Sequence, residues 1–126
     1  MDRLEINGTN QSPSIILDAK NGVFELRGHS FLDNAYDFYK PVLDWLKAYH
    51  SNSGDNIHFV FDIIYINTSS QRMVFDLLKR LNLMHKDGKS VMVEWLYDEN
   101  DDDLKDVGND LLSFMEFPYK VIEKVS

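Results

Sequence analysis

The run from Ile57 to Ile66, Ile-His-Phe-Val-Phe-Asp-Ile-Ile-Tyr-Ile, constrains this chain more than any other segment. Apart from His58 and Asp62, every residue in it is β-branched or aromatic, the types that suit a pleated, packed surface. The run is too short to cross a bilayer as a helix. An almost continuous apolar run of this kind predicts a central strand covered on both faces.

Helical patterns lie on either side of it. Asp33 or Asn34 can cap a first helix to about Tyr49, with Ala35, Phe38, Val42, Trp45, Leu46 and Tyr49 on one face. Pro41 inside that pattern predicts a kink near Lys40. A polar loop is expected from Ser51 to Asn56. A second helix from about Ser69 to Lys86, stopping at Gly88, buries a stripe of Met73, Val74, Leu77, Leu78, Leu81 and Met84. Ser90 to Tyr97 reads as a strand. A third helix opens near Asp102, with Leu104, Val107, Leu111 and Met115 inward and Pro118 at its end. Tyr119 to Ile122 reads as an edge strand. At the other end, Leu4 to Ile6 forms a short strand and Asn7 to Pro13 a loop. Ser14 to Asp18 and Val23 to Arg27 flank Asn21-Gly22, which suits a primed hairpin turn. The alternation after residue 57 predicts right-handed crossovers and a partly parallel sheet. The expected fold is therefore one α/β domain over residues 1–126, a mixed sheet with an N-terminal antiparallel hairpin and about three helices.

Composition narrows the function classes. With 44% hydrophobic residues in 126, the chain can bury a core without a disulfide or metal staple. The absence of cysteine excludes a thiol nucleophile and thiolate metal sites, and fits a reducing compartment. Met1 to Glu5 lacks a basic start followed by an apolar run, so no secretory signal is expected and the expected location is the cytoplasm. A net charge of -8 disfavours nucleic acid and anionic membranes as partners. His29, His50, His58 and His85 show no metal-ligand spacing, and no phosphate-cradling glycine loop or nucleophile elbow occurs. No catalytic residue or cofactor is predicted, and an enzyme is not expected.

Seven carboxylates crowd residues 98 to 110. A calcium loop begun at Asp98 would place Asp103 where the sharp turn needs glycine and Asn109 where a bidentate Glu is needed. Carboxylates in the first turn of a helix instead favour its positive end. No metal site is predicted. A docking surface for a basic partner ranks second, and a divalent-cation site or small hydrolase using Asp98 to Asp103 is the alternative function.

The turn Tyr65-Ile66-Asn67-Thr68-Ser69-Ser70-Gln71-Arg72 carries the most information. Thr68 to Gln71 fits a capping box. A cap needs one hydroxyl, however, and three in a row at the end of a central strand exceed that need. The N–H groups of such a turn suit an added phosphate.

Several segments resemble the SiaC-type bacterial regulatory phosphoproteins, whose fold is similar to STAS-domain anti-sigma-factor antagonists. They are TNQSPSIILD (Thr9–Asp18), GHSFLDN (Gly28–Asn34), FYKPVLDWL (Phe38–Leu46), YINTSS (Tyr65–Ser70) and VEWLYDENDDD (Val93–Asp103), with Gly108. The departures, Ile66 for an aromatic, Gln71-Arg72 for Ser-Lys and Leu96 for Tyr, leave the acceptor in place. The resemblance implies that a kinase phosphorylates Thr68 and a phosphatase restores it. It also implies that the unphosphorylated form binds and activates a diguanylate cyclase or similar effector. A constitutive adaptor without covalent control is the other alternative. Projected at about 100° per residue, Arg72, Phe75, Lys79, Leu83 and Lys86 fall opposite the buried stripe of the second helix. With Asn67, Ser69 and Ser70, the residues Arg72, Phe75, Lys79 and Leu83 form the expected partner surface, unless Phe75 and Leu83 are covered by another part of the domain.

Overall fold

His58 and Asp62 are an even number of residues apart, so in a strand they face the same side. The computed structural model, which describes residues 2–52 and 54–125, turns that side outward. Strand β4 (Asn56–Ile66) buries Ile57, Phe59, Phe61 and Ile63, while His58, Val60, Asp62 and Ile64 are partly or well exposed. The expected cover on both faces of this strand does not hold.

The reason lies in the winding. The elements run β1 (Leu4–Ile6), β2 (Ser14–Asp18), β3 (Val23–Ser30), α1 (Ala35–Ser51), β4, α2 (Thr68–Lys86), β5 (Ser90–Asp98), α3 (Asp102–Leu112) and β6 (Tyr119–Lys124). The sheet order is β1-β2-β3-β4-β5-β6, the same as the chain order. β1, β2 and β3 pair antiparallel, and β3 to β6 pair parallel. Three crossovers therefore step the same way across the sheet. Crossovers of one hand moving in one direction lay their helices on one face. A doubly wound fold needs a reversal of direction to cover the second face, and this order has none. The mixed sheet, the hairpin, the interior position of β4 and the helix starts near residues 33, 69 and 102 agree with the sequence reading.

Charge pairs bridge the strands on the uncovered face. Arg27 Nη1 meets Asp62 at 2.7 Å and Arg27 Nη2 meets Glu25 at 3.1 Å. Lys124 Nζ meets Asp62 at 2.6 Å and Asp98 at 3.0 Å. Asp62 thus sits on the open side of an interior strand between two cations.

Three local readings need correction. The hairpin closes at Asp18–Val23, around a four-residue loop rather than a two-residue primed turn. Within that loop only Gly22 has a positive φ, and the Asp18 carboxylate holds the bend by accepting the Asn21 N–H at 3.1 Å and its amide at 2.8 Å. In α1 the fully buried aromatic is Tyr39, with Phe38 half-buried beside it; the helix runs through Pro41, as expected, and ends at Ser51. The third helix ends at Leu112, so Met115 lies beyond it and Pro118 precedes β6 instead of stopping the helix. Met1, Ser53 and Ser126 lie outside the described residues, so the expected loop from Ser51 to Asn56 is seen without Ser53.

On the covered face, Phe59 stacks on Phe61 at 4.5 Å between centroids, and Phe61 on Trp95 at 5.6 Å. Trp95 Nε1 donates to the Leu104 carbonyl at 3.2 Å, tying α3 to β5. Gly108 is buried against the indole. A methyl group there would lie 2.4 Å from Trp95 Cδ1. The apolar periodicity of α3 missed this position because its contribution to packing is the lack of a side chain. Gly108→Ala is expected to destabilise the fold by about 1–3 kcal/mol through overpacking, despite alanine's better helix propensity. Urea denaturation checks this, and a variant as stable as the parent would show that Trp95 gives way freely.

Candidate functional site

A break in strand alternation builds the site. The β3–β4 pairing runs Gly28 to Ile63 and then His29 to Tyr65, so Ile64 is an extra residue on β4. Such a bulge shifts the inward and outward alternation by one residue. Gly28 adopts φ 110° here, a conformation that L side chains rarely take. Without the shift Tyr65 would point into the core. With it, Tyr65 is 47% exposed and Ile66 is buried. Phe31, at the end of β3, is 51% exposed and lies 5.8 Å from the Tyr65 ring. Ile64 adds a further exposed apolar side chain.

The turn itself is fixed by Asn67. Its backbone N–H donates to the Ser30 carbonyl at 2.9 Å, and its Nδ2 donates to the Leu32 carbonyl at 3.0 Å. Its Oδ1 accepts the Ser70 N–H at 3.0 Å, and its backbone is extended at φ -87°, ψ 172°. Asn67 is therefore the N-cap, and the expected capping box with Thr68 as cap is displaced by one residue. The cause is a tertiary contact. The Leu32 carbonyl orients the Asn67 amide so that its oxygen faces the first turn of α2, and Asn caps at least as well as Thr. Ser30 is itself anchored, its Oγ 2.7 Å from the buried Tyr39 hydroxyl. Burial pushes the Tyr39 phenol up to about 12, so that pair stays neutral at ordinary pH.

The three hydroxyls now differ. Ser70 is fully buried and its Oγ lacks a hydrogen-bond partner among the described residues. Ser69 is exposed, but its Oγ donates to the Leu32 carbonyl at 2.8 Å. Thr68, the first residue of α2, is exposed and its side chain makes no hydrogen bond among the described residues. Arg72, one turn further on, is exposed and forms no ion pair among them. Of the expected partner-contacting residues, Ser70 is excluded from the surface by its burial, and the Asn67 amide is engaged within the chain. Phe75 is half-buried under Phe114, ring to ring at 5.6 Å and 82°, with Lys79 Nζ 5.3 Å from its centroid. Leu83 is 46% exposed.

The exposed pair Phe31 and Tyr65 escaped the sequence reading. A signal for it exists. Ile57 and Ile66 are an odd number apart, so one regular strand cannot bury both, and Gly28 in the neighbouring strand marks where regularity fails.

A cleft of about 370 Å³ separates this turn from the start of α3, lined by Ile64, Tyr65, Gln71, Asp101, Asp103 and Val107 among others. The Asp101 Oδ1 accepts the Leu104 N–H at 3.0 Å as N-cap, with Asp102 and Asp103 in the first turn. Asp98 is held by Lys124. The acids thus serve a helix end and an ion pair. Among the described residues no group of three or more His, Asp or Glu converges as a metal site would require, and no helix is long and apolar enough to cross a membrane.

The cap assignment has a measurable consequence. Asn67→Ala is expected to cost about 1–2 kcal/mol in chemical denaturation, whereas Thr68→Val should stay within about 0.5 kcal/mol of the parent. Equal costs at the two positions would restore Thr68 as the cap.

Known proteins are similar to this chain in sequence and in overall fold. An uncharacterized protein of Pseudomonas aeruginosa (strain UCBPP-PA14) is 26% identical over 121 residues, 96% of each chain. The structure of SiaC of Pseudomonas aeruginosa superposes with a TM-score of 0.89 at 27% identity, covering 98% of this chain and 100% of that one. A chain in the crystal structure of the diguanylate cyclase SiaD in complex with its activator SiaC, from the same organism, gives 0.90 at 26% identity over 96% and 99% of the two chains. Residues 6–124 match the family described as SiaC family regulatory phosphoproteins, and the chain belongs to that family.

Proposed function

We propose that this protein is a phosphorylation-gated binding switch whose acceptor is Thr68. The observation that carries the proposal is the sorting of the three hydroxyls in the turn. Ser70 is buried and Ser69 is bonded to Leu32, which leaves Thr68 exposed and unengaged. A kinase adds the phosphate and a phosphatase removes it. The unmodified form binds and activates an effector, a diguanylate cyclase by likeness to the structure of SiaD with its activator SiaC. Such a cycle consumes nucleoside triphosphates, which assigns it to the cytoplasm.

The effector surface in this reading includes the exposed rings of Phe31 and Tyr65 beside the turn, together with Ile64, Thr68 and Arg72. Exposed aromatics next to a cation are the residue types that anchor protein interfaces. A phosphate on Thr68 adds roughly -1.5 to -2 charge. Within the domain the first N–H groups of α2 and the free Arg72 would hold it, so the fold tolerates the modification. At the interface the same charge must be desolvated, which costs several kcal/mol when it is left unpaired. Desolvation therefore dominates where the partner sits, and stability is nearly untouched.

The test is the affinity of unmodified and Thr68-phosphorylated protein for a diguanylate cyclase, with melting temperatures measured alongside. Phosphorylation should weaken binding about a hundredfold or more, equivalent to roughly 2.8 kcal/mol, with the melting temperature little changed. Thr68→Ala should bind normally and resist the kinase. Equal affinities would reject the gate, and a collapsed melting temperature would replace it with unfolding.

A further inference from the structure

From Phe75 onward α2 carries a groove separate from the Thr68 turn. Its floor is Leu43 from α1, Phe75 and Leu83 from α2, and Phe114 and Met115 from the segment after α3. Phe114 is 71% exposed, an unusual state for a phenylalanine that packs on another ring. The groove encloses about 500 Å³. Its rim is cationic. Lys47, Lys79, Arg80 and Lys86 line it with a single carboxylate, Asp76. These four are drawn from only 13 Lys and Arg in a chain of net charge -8. Lys79 pairs with Asp76 at 3.3 Å and Lys86 with Glu116 at 3.8 Å, but Lys47 and Arg80 form no ion pair among the described residues.

We infer that this groove docks an amphipathic segment of a partner protein whose apolar face is flanked by carboxylates. The floor supplies an apolar trough open to solvent, and the rim selects acid over base. A nucleic acid would meet an apolar floor and the repulsion of the chain's net negative charge. A second copy of this chain would bring that same net charge.

This site lies beyond the switch proposed above and does not depend on it. On one helix the groove's nearest floor residue, Phe75, is seven residues past Thr68 and Leu83 fifteen, about 10 and 22 Å along the axis. Both exceed a screening length of about 8 Å at physiological salt. A charge at Thr68 therefore leaves the groove's affinity unchanged, and the protein can keep one segment of a partner docked while the Thr68 surface engages or releases another.

The probe is a fluorescein-labelled helix-forming peptide of about 15 residues, with leucines on one face and glutamates on its flanks. A companion peptide carries lysine in place of each glutamate. Fluorescence anisotropy with the full-length protein should show saturable binding of the acidic peptide, at least about tenfold tighter than the lysine peptide and weakened by salt. Leu83→Asp should abolish it, and the double variant Lys79→Glu with Arg80→Glu should weaken it about tenfold. Thr68→Asp should leave it unchanged. Leu83 and Lys79 are exposed and Arg80 is partly so, so the variants should keep the parent's melting temperature. Equal binding of the two peptides, no binding, or binding indifferent to Leu83→Asp would overturn the inference. Concentration-dependent dimerisation lost in Leu83→Asp would also overturn it by making a second copy the occupant. Pelleting with phosphatidylserine vesicles that is lost in the same variant would do so in favour of a membrane. Loss of peptide binding in Thr68→Asp would overturn the independence of the two surfaces while leaving the gate intact.

Discussion

Phe59, Phe61 and Trp95 form a continuous stack across two interior strands, and the helical layer is fastened to the sheet along it. Burying rings of this size removes more apolar area from water than any aliphatic contact in the domain can. The indole also fixes the third helix, through the Leu104 carbonyl and through the close approach that Gly108 permits. Because β4 and β5 commit their largest side chains to this one face, their other face alternates His58, Asp62 and Glu94 with the partly exposed Val60, Met92 and Leu96. The Arg27–Asp62–Lys124 chain is the counterpart of the stack on the open side. It keeps a carboxylate on an interior strand paired.

The Thr68 turn inherits its geometry from that sheet. A parallel pair that stayed in register to its end would bury Tyr65 and put Ile66 outside. The extra residue at Ile64 reverses this, so that a ring stands beside the turn and an aliphatic side chain closes the core beneath it. Three carbonyl and amide contacts from Asn67 then lock the entry to α2 onto the end of β3. Thr68 therefore rides on a rigid frame. For the proposed charge-based switch this matters, because a mobile turn could swing a phosphate away from an interface, whereas a fixed one cannot.

The two surfaces of the domain differ in chemistry. Around Thr68 are exposed rings, an arginine without an ion pair among the described residues and a neighbouring acidic helix start. Around Leu83 are exposed aliphatic and aromatic groups inside a cationic rim. Both lie on α2, one at each end, and the stiffness of a helix held along its length by a buried stripe keeps them a fixed distance apart.

Element types and order were legible in the residues, because apolar periodicity is a local property that survives without knowledge of the partner surface. The strand over Ile57–Ile66, the three helices, the antiparallel start and the singular character of the Asn67–Ser70 turn all follow from spacing of that kind, and family resemblance pointed to Thr68. The number of faces a strand buries is not local. An apolar run looks alike whether helices lie on one side or two, and only the unidirectional order of the strands made the cover one-sided. Nor could the residues say which hydroxyl was free. That depended on the Leu32 carbonyl, 35 residues from Asn67, which drew Asn67 into the cap and engaged Ser69. Gly108 and the Phe31–Tyr65 pair belong to the same class. A missing side chain and a shifted register act only through what lies opposite them, so sequence determined which elements form, and tertiary contact decided which of their groups face the solvent.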